Sequence, residues 1–555
     1  MRQRGKRVLA VLAAMALLCG CGAKDTGKDT SASVKAETGE TEGSQQADTA
    51  AEGEGETYMD YSSGFEKTVT IQIPVYDRAF ANWNTTDNYY TRWVQKEFGD
   101  KYNIKVEYVA ISKPNQVTDY MQLLAAGKAP DIIFHYDMPQ ALAYYGEGAM
   151  QKLDLDEIKY YAPTYWMKMD DTVLKYGKVE GDPYFFFADR PKAYNVVTLI
   201  RQDWIDQVGK EMPQSMEELN ELFQAWKDAG LGNGGGWLEQ NSYINDYPFR
   251  DWPQDEKQRA LYSDLSVAAL PSQAEHDYLK NMNYQYNHDL IDREFYLNID
   301  EPSKQADFIS GAAGVYYSFS MGGSTTLFDS LKKNCPGAEV SVLPRAALTP
   351  EGHKPQERAY WPFGLIMGIN HDTTDEERAA VWMYFEWLSQ PENLLFMQNG
   401  PEGETFKMKD GLPMKIAGYE GEAKLSENDN KDYWCLLTEG IQYDDPELEI
   451  KAAIQNGAPA GYEYLIEQSY ADFESRKEYS TTDPLFTTII SSVAEYKADL
   501  NEKWKELHVK CVMAPEDQFE ATYEAACQGY LDSGYQAILD EKQAAIDAGL
   551  YSYEN

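Results

Sequence analysis

Apolar positions at the start of the body follow two alternating periods. Val69, Ile71, Ile73 and Val75 alternate with Thr70, Gln72 and Pro74, the period-two pattern of a strand. Asp87 to Phe98 carries Trp93, Val94 and Phe98 at helical spacing, with Gly99 as its expected stop. Ile104, Val106 and Tyr108 predict a second strand. Val117 to Ala126 predicts a second helix, stopped by Gly127–Lys128–Ala129–Pro130, and Asp131 to Phe134 a third strand. This β-α-β-α-β order predicts a parallel sheet with right-handed crossovers. Ligands of such sheets bind beyond the carboxyl ends of the strands. Those ends are Tyr76–Asp77, Ala110–Ile111 and His135–Tyr136–Asp137.

A different pattern begins at Tyr194. Tyr194 to Ile200 is a near-continuous apolar run rich in β-branched residues, as expected of a strand buried on both faces. Ser215, with Glu218 three residues later, signals the start of a helix running to Gly230. The chain then reads as mainly helical to about Leu297. A helix end, a small-residue turn and a strand follow over Asp307 to Tyr317, and Val340 to Pro344 is another strand. Tyr360 to Ile369 reads as a second crossing strand, and Asp375 to Leu388 as an amphipathic helix with Ala379, Val381, Trp382, Phe385 and Leu388 inward. Pro515 to Gly549 is helical and alanine-rich. A buried strand between one complete α/β unit and a more helical one predicts two lobes joined by crossing strands, and 555 residues exceed what one core usually holds.

The first residues are not part of that body. Arg2 to Arg7 are basic, and Val8 to Leu18 is an apolar run too short to span a bilayer as a mature helix. Leu18–Cys19–Gly20–Cys21 places Leu at −3 and Gly at −1 of Cys21, the pattern for diacylglycerol transfer to a thiol, so Cys21 is the expected lipid attachment site. Ala23 to Thr57 has no Leu, Ile, Phe, Trp or Tyr and cannot bury enough apolar area to fold, which makes it a tether. Charge adds one exclusion. With 91 acidic against 50 basic residues the net charge is −41, and removing Arg2, Arg4, Lys6 and Arg7 makes it −41 − 4 = −45. Such a surface repels nucleic acid and disfavours polyanionic ligands; it also serves solubility.

Three ordered motifs carry a family resemblance. Gly177–Lys178 with Gly181, Pro183 and Tyr184 precedes the apolar strand. Arg201, Asp203, Trp204 and Gly209 follow it, and then Pro213, Ser215, Glu218 and Leu219. The series resembles the extracellular solute-binding proteins of ABC importers, and within them the sugar-binding family 1 cluster and its LipO/LplA-like lipoproteins. The segments around Gly311 and Asn399–Phe406 fit the same pattern. The resemblance implies an α/β, two-lobed periplasmic-binding-protein-like fold of type II, each lobe a sheet flanked by helices with hinge strands between. It divides the chain into a signal peptide (1–20), the lipidated Cys and acidic linker (21–66), a first lobe (67–193 plus 346–400) and a second lobe (194–345 plus 401–555). It also implies a monomer on the extracellular face of a bacterial cell membrane that captures a carbohydrate by hinge closure and passes it to ABC permease subunits, with no catalysis and no cofactor.

The candidate ligand contacts are aromatic and acidic residues on loops or strand ends. Aromatic faces pack against the C–H face of a pyranose while carboxylates accept from its hydroxyls. The aromatic candidates are Trp83, Tyr136, Phe186, Trp237, Trp252, Phe319 and Trp361, and the acidic ones Asp137, Asp189 and Asp203. Each aromatic could equally be packing, and each aspartate a cap or turn. Arg190 and Arg250 would suit a uronic acid, but the net charge favours a neutral oligosaccharide. A metal site is not expected: the histidines form no HExxH, and Asp429–Asp432 lacks the glycine and glutamate of an EF-hand loop. Cys335, Cys435, Cys511 and Cys527 form no CxxC pair, and their pairing cannot be read from sequence. Two rival readings share these features: a surface glycan hydrolase using two carboxylates, and a glycan sensor or adhesion lipoprotein.

Overall fold

The computed structural model describes residues 58–552 apart from 191–196, 233–255, 263–266, 298–300, 319–324, 350–351, 353, 356–357, 360, 444, 480 and 483. The first sheet is the pair β1 (Val69–Asp77) and β2 (Ile104–Ser112), parallel, with Val69 opposite Ile104 and Asp77 opposite Ser112. Next come β3 (Ile132–His135) and β4 (Phe186–Asp189). Asp131 fastens β3 beside β1: its N–H donates to the Gln72 carbonyl at 3.0 Å and its carboxylate accepts the Gln72 N–H at 2.6 Å. Another sheet holds β5 (Val197–Arg201) between β6 (Val315–Ser318) and β7 (Val340–Val342), antiparallel to both. Finally β8 (Phe363–Ile369) returns to lie between β3 and β4, antiparallel to both.

The expected parallel sheet is realised only in the β1–β2 pair. β3 pairs instead with β8 in a separate three-stranded antiparallel sheet, β3–β8–β4. Because β8 opposes both neighbours, β3 and β4 run the same way. Their carboxyl ends meet the amino end of β8 at one edge: Phe363 faces Asp189 and Ile366 faces His135.

The helices form where the sequence supplies caps. Ser215 accepts from the Glu218 N–H and starts the Met216–Asp228 helix. Thr374 and Glu377 form a reciprocal capping box before Asp375–Leu388. One stop signal was misread. Gly99 lies inside a π-type turn over Gln95–Gly99, and the helix ends at Asn103, which adopts a left-handed φ of 55°. Gly99 is needed for close approach: a Cβ there would lie 2.3 Å from the Gln95 amide nitrogen and 2.6 Å from the Ile104 carbonyl. That space lets Gln95 donate to Ile104 O and accept from Val106 N–H, tying the helix to β2.

Burial sorts the chain into two main cores. One gathers residues from Phe65 to Ala188, Phe363 to Met397, and Tyr433 to Leu437. The other gathers Ile200 to Leu348 with Val493 to Ile538. The crossing strand β5 is buried along its whole length. Its period of two sends Ile200 into the second core and Val197 with Leu199 into an adjoining cluster around Phe328, Tyr462 and Leu465. Tyr433–Leu437, placed beyond residue 401 and hence in the second lobe by the sequence pattern, pack in the first core. Among the described residues no helix is long and apolar enough to cross a membrane.

Candidate functional site

At the carboxyl ends of β1, β2 and β3, each strand delivers a side chain to the same rim. Tyr76 ends β1 and Tyr136 follows β3; their rings stack 6.2 Å apart at 11°. Lys113 follows β2 and lays its ammonium over both rings, 3.8 Å and 4.3 Å from their centroids. Burial, and then repulsion by Arg78, pull the Lys113 pKa down to about 8. Arg78 binds both carboxylate oxygens of Asp432, at 2.8 and 2.9 Å. Burial raises the pKa of Tyr76, Tyr136 and Cys435, so all three stay protonated at neutral pH.

The segment 431–439 completes the rim from far along the chain. Asp429 and Asn430 adopt left-handed φ of 48° and 57° and turn the chain into the Lys431–Trp434 helix. Tyr433 accepts from the Trp83 indole N–H at 3.0 Å and the Asn88 amide at 2.8 Å, and donates to the Thr85 carbonyl at 2.7 Å. These bonds fix the loop after β1. Glu439 pairs with Lys431 at 3.1 Å and lies over Gly364, where a Cβ would meet its Cγ at 1.8 Å. Its N–H donates to the Asp189 carbonyl, and the Asp189 N–H donates to Leu437 O.

Five of the sequence candidates sit at this edge. Trp83 is half-buried against Tyr433. Tyr136 stacks as described, and Asp137 donates its N–H to His135 Nδ1. The Asp189 carboxylate is held by Lys168 and Gln442, each at 2.7 Å. Trp361 stacks on Phe363, 6.0 Å away at 10°. Arg190, the uronate candidate, adjoins Asp189, with its N–H on the Pro362 carbonyl.

Two candidates are corrected. Phe186 is fully buried among Tyr165, Trp382 and Phe385, so it is a core residue. Asp203 lies at the far end of β5, where Arg201 grips it at 2.8 and 2.6 Å and the Glu339 N–H adds a third bond at 3.2 Å. With Arg201 itself stacked 4.7 Å over Trp204, the aspartate is structural. Trp237, Trp252, Phe319 and Arg250 lie outside the described residues.

Sequence reasoning missed Arg78, Lys113, Asp432, Tyr433 and Glu439. The strand-end rule reached Tyr76 and stopped one residue short of Ser112–Lys113. Nothing local could connect Asp432 to Arg78 across 354 positions. The Asp429–Asp432 cluster is a polar turn, as read from the missing EF-hand residues: Asp429 pairs with Lys415, and Asp432 serves Arg78. Among the described residues no group of three or more His, Cys, Asp or Glu side chains could hold a metal. Cys335, Cys435, Cys511 and Cys527 are free thiols.

Residues 93–398, more than half of the chain, match the family model described as bacterial extracellular solute-binding protein. Two curated proteins of Bacillus subtilis (strain 168) are similar. Lipoprotein LipO is 20% identical over 264 residues, covering 44% of this chain and 50% of LipO. The polygalacturonan/rhamnogalacturonan-binding protein YtcQ is 24% identical over 205 residues, covering 35% of this chain and 40% of YtcQ. The chain thus spans half or less of the length of these relatives. Among solved structures, an HMO-binding, ABC-transporter-associated solute-binding protein from Bifidobacterium longum infantis superposes with a TM-score of 0.62 at 14% identity, covering 87% of this chain and 99% of that one. The α/β two-lobed fold of type II is therefore common to both.

Proposed function

This chain belongs to the bacterial extracellular solute-binding proteins, and we propose that it captures a carbohydrate at the rim described above and hands it to the membrane subunits of an ABC importer. The observation that carries this reading is the rim itself. Half-buried aromatics Tyr136, Trp83 and Trp361 stand with the polar groups of Asp189 and Arg78 along the carboxyl ends of β1, β3 and β4. The ends of β4 and β8 there lie next to the stretches leading to and from the second lobe. A ligand on the rim that also touches the second lobe favours the closed state by its differential affinity.

The carbohydrate is a neutral oligosaccharide. Arg78 is paired with Asp432, Lys431 with Glu439 and Lys168 with Asp189, so among the described residues these rim cations are compensated, and Lys113 lies against two rings. YtcQ is named for polygalacturonan, a uronic-acid polymer, and the Bifidobacterium structure for HMO, so the screen pairs acidic with neutral oligosaccharides. In this reading the first lobe runs from residue 67 through 193 and again from about 346 to about 438, where the Tyr433–Leu437 packing ends. Cys21 carries the lipid that holds a monomer on the outer face of the cell membrane, and the ligand leaves chemically unchanged.

The test is calorimetry against neutral and uronic-acid oligosaccharides, with small-angle scattering on the same samples. A neutral ligand should bind, shrink the radius of gyration, and bind at least tenfold more weakly to Tyr136→Ala. No binding across the panel, or tighter binding of the acidic series, would overturn the reading.

A further inference from the structure

The first lobe has a second groove, at the opposite end of its β1–β2 pair from the rim. It encloses about 630 Å³, within the range of small-ligand sites. Its position follows from the strands. Tyr102 lies two residues before the start of β2, and its carbonyl accepts the N–H of Phe65, which lies four residues before β1. The groove beside them is therefore at the amino edge of that pair. β1 has nine residues, so about 30 Å of strand separates the groove from the rim.

The walls are rings. Tyr61 lies over Tyr161, 6.0 Å away at 22°, and Tyr160 stands edge-on to Tyr161 at 4.9 Å. On the other side Trp93 and Trp387 meet at 5.2 Å. Tyr160 is 49% exposed and is the most open of these rings. Around the rings stand Asp60, Glu97 and Glu392, the amides of Gln390 and Asn393, and one cation, Lys101. Ring faces bordered by hydrogen-bonding oxygens and amides suit a sugar, whose pyranose face is apolar and whose edge is hydroxyl. The excess of carboxylates excludes an anionic polymer.

We infer that this groove is a second saccharide site, separate from the rim, that takes a short run of a neutral polysaccharide. The body begins beside it, at Tyr58–Ser62. A polymer held there would keep the tethered protein close to a glycan supply while the rim binds fragments released from it.

Affinity electrophoresis of the purified protein tests this in gels containing glucomannan, xyloglucan, arabinoxylan or glycol chitin, with polygalacturonate as the anionic comparison. At least one neutral polymer should retard the protein. Tyr160→Ala and Tyr61→Ala should each reduce the retardation at least fivefold, whereas Tyr136→Ala at the rim should leave it intact. Tyr160 is half exposed, so a thermal midpoint equal to wild type separates loss of binding from loss of fold. No retardation by any neutral polymer, retardation that survives both groove variants, retardation abolished by Tyr136→Ala, or stronger retardation by polygalacturonate would each overturn the inference. Running the groove variants in the Tyr136→Ala background keeps polymer held at the rim out of the comparison.

Discussion

Lys113→Met should stabilise the protein at neutral pH, and the gain should vanish in alkali. The Lys113 ammonium is mostly shielded from water against Tyr76 and Tyr136, and its pKa falls from 10.5 to about 8. Taken at face value, that gap corresponds to about 3 kcal/mol against the charged form at pH 7. Two ring faces return about 1–2 kcal/mol through cation–π attraction, and the partial exposure of the side chain screens part of the rest. The net penalty is then about 1–2 kcal/mol. Below pH 8 Lys113 is charged in both folded and unfolded chains, so the full penalty applies. Between pH 8 and 10.5 the folded chain loses this proton first; the unfolded chain binds more protons, and stability rises with pH. Methionine keeps the length and the ring contact and removes the charge. Chemical denaturation at pH 6.5, 7.5 and 11.5 should show the variant more stable at the two lower values by about 1–2 kcal/mol and nearly equal to wild type at 11.5, above the unfolded pKa of 10.5. A variant that is less stable at pH 7.5, with the same pH slope as wild type, would refute the reasoning: the rings would then more than offset the burial.

Two further outcomes follow from single observations. Arg378→Met should cost about 3–4 kcal/mol, because Arg378 meets both oxygens of the buried Glu157 at 2.6 and 3.1 Å and its loss strands that charge; adding Glu157→Gln should recover part of the loss in the denaturation midpoint. Cys21→Ala should fold normally but take no acyl label in cells, and label retained through Cys19 would refute the assignment.

Much of the fold was legible because it rests on local signals. β5 announced itself by an unbroken apolar run, and the structure buries all five of its residues. The Ser215 helix start was readable because a cap is a contact between residues three apart. Gly99 was misread for a related reason. A glycine after a periodic run is usually a stop, but this one is small so that Gln95 can reach β2. The β3–β8–β4 sheet was not legible, because strand periodicity carries no information about which strand returns to lie between which others. Phe186 showed the same limit: an aromatic after a turn reads alike whether it faces a cleft or, as here, Tyr165 and Trp382.

The segment least legible in the sequence is the one that joins the rim to the crossing strands. Residues 431–439 look like a polar turn followed by an apolar patch, and nothing in them points to β1 or β4. In the fold, Tyr433 fixes the loop after β1, Asp432 holds Arg78 beside Tyr76, and Glu439 fills the space left by Gly364 at the start of β8. The backbone then exchanges two hydrogen bonds with Asp189: Asp189 N–H to Leu437 O and Glu439 N–H to Asp189 O. Asp189 is the last residue of β4, shortly before the chain crosses to the second lobe. A displacement of that crossing therefore moves a hydrogen-bonded segment whose side chains also form the rim. Coupling of this kind needs no long pathway, because the same nine residues belong to both places. On the proposal that the rim is the ligand site, closure that repositions Asp189 would also reset Glu439 and Asp432, and affinity would then depend on how the two lobes are set.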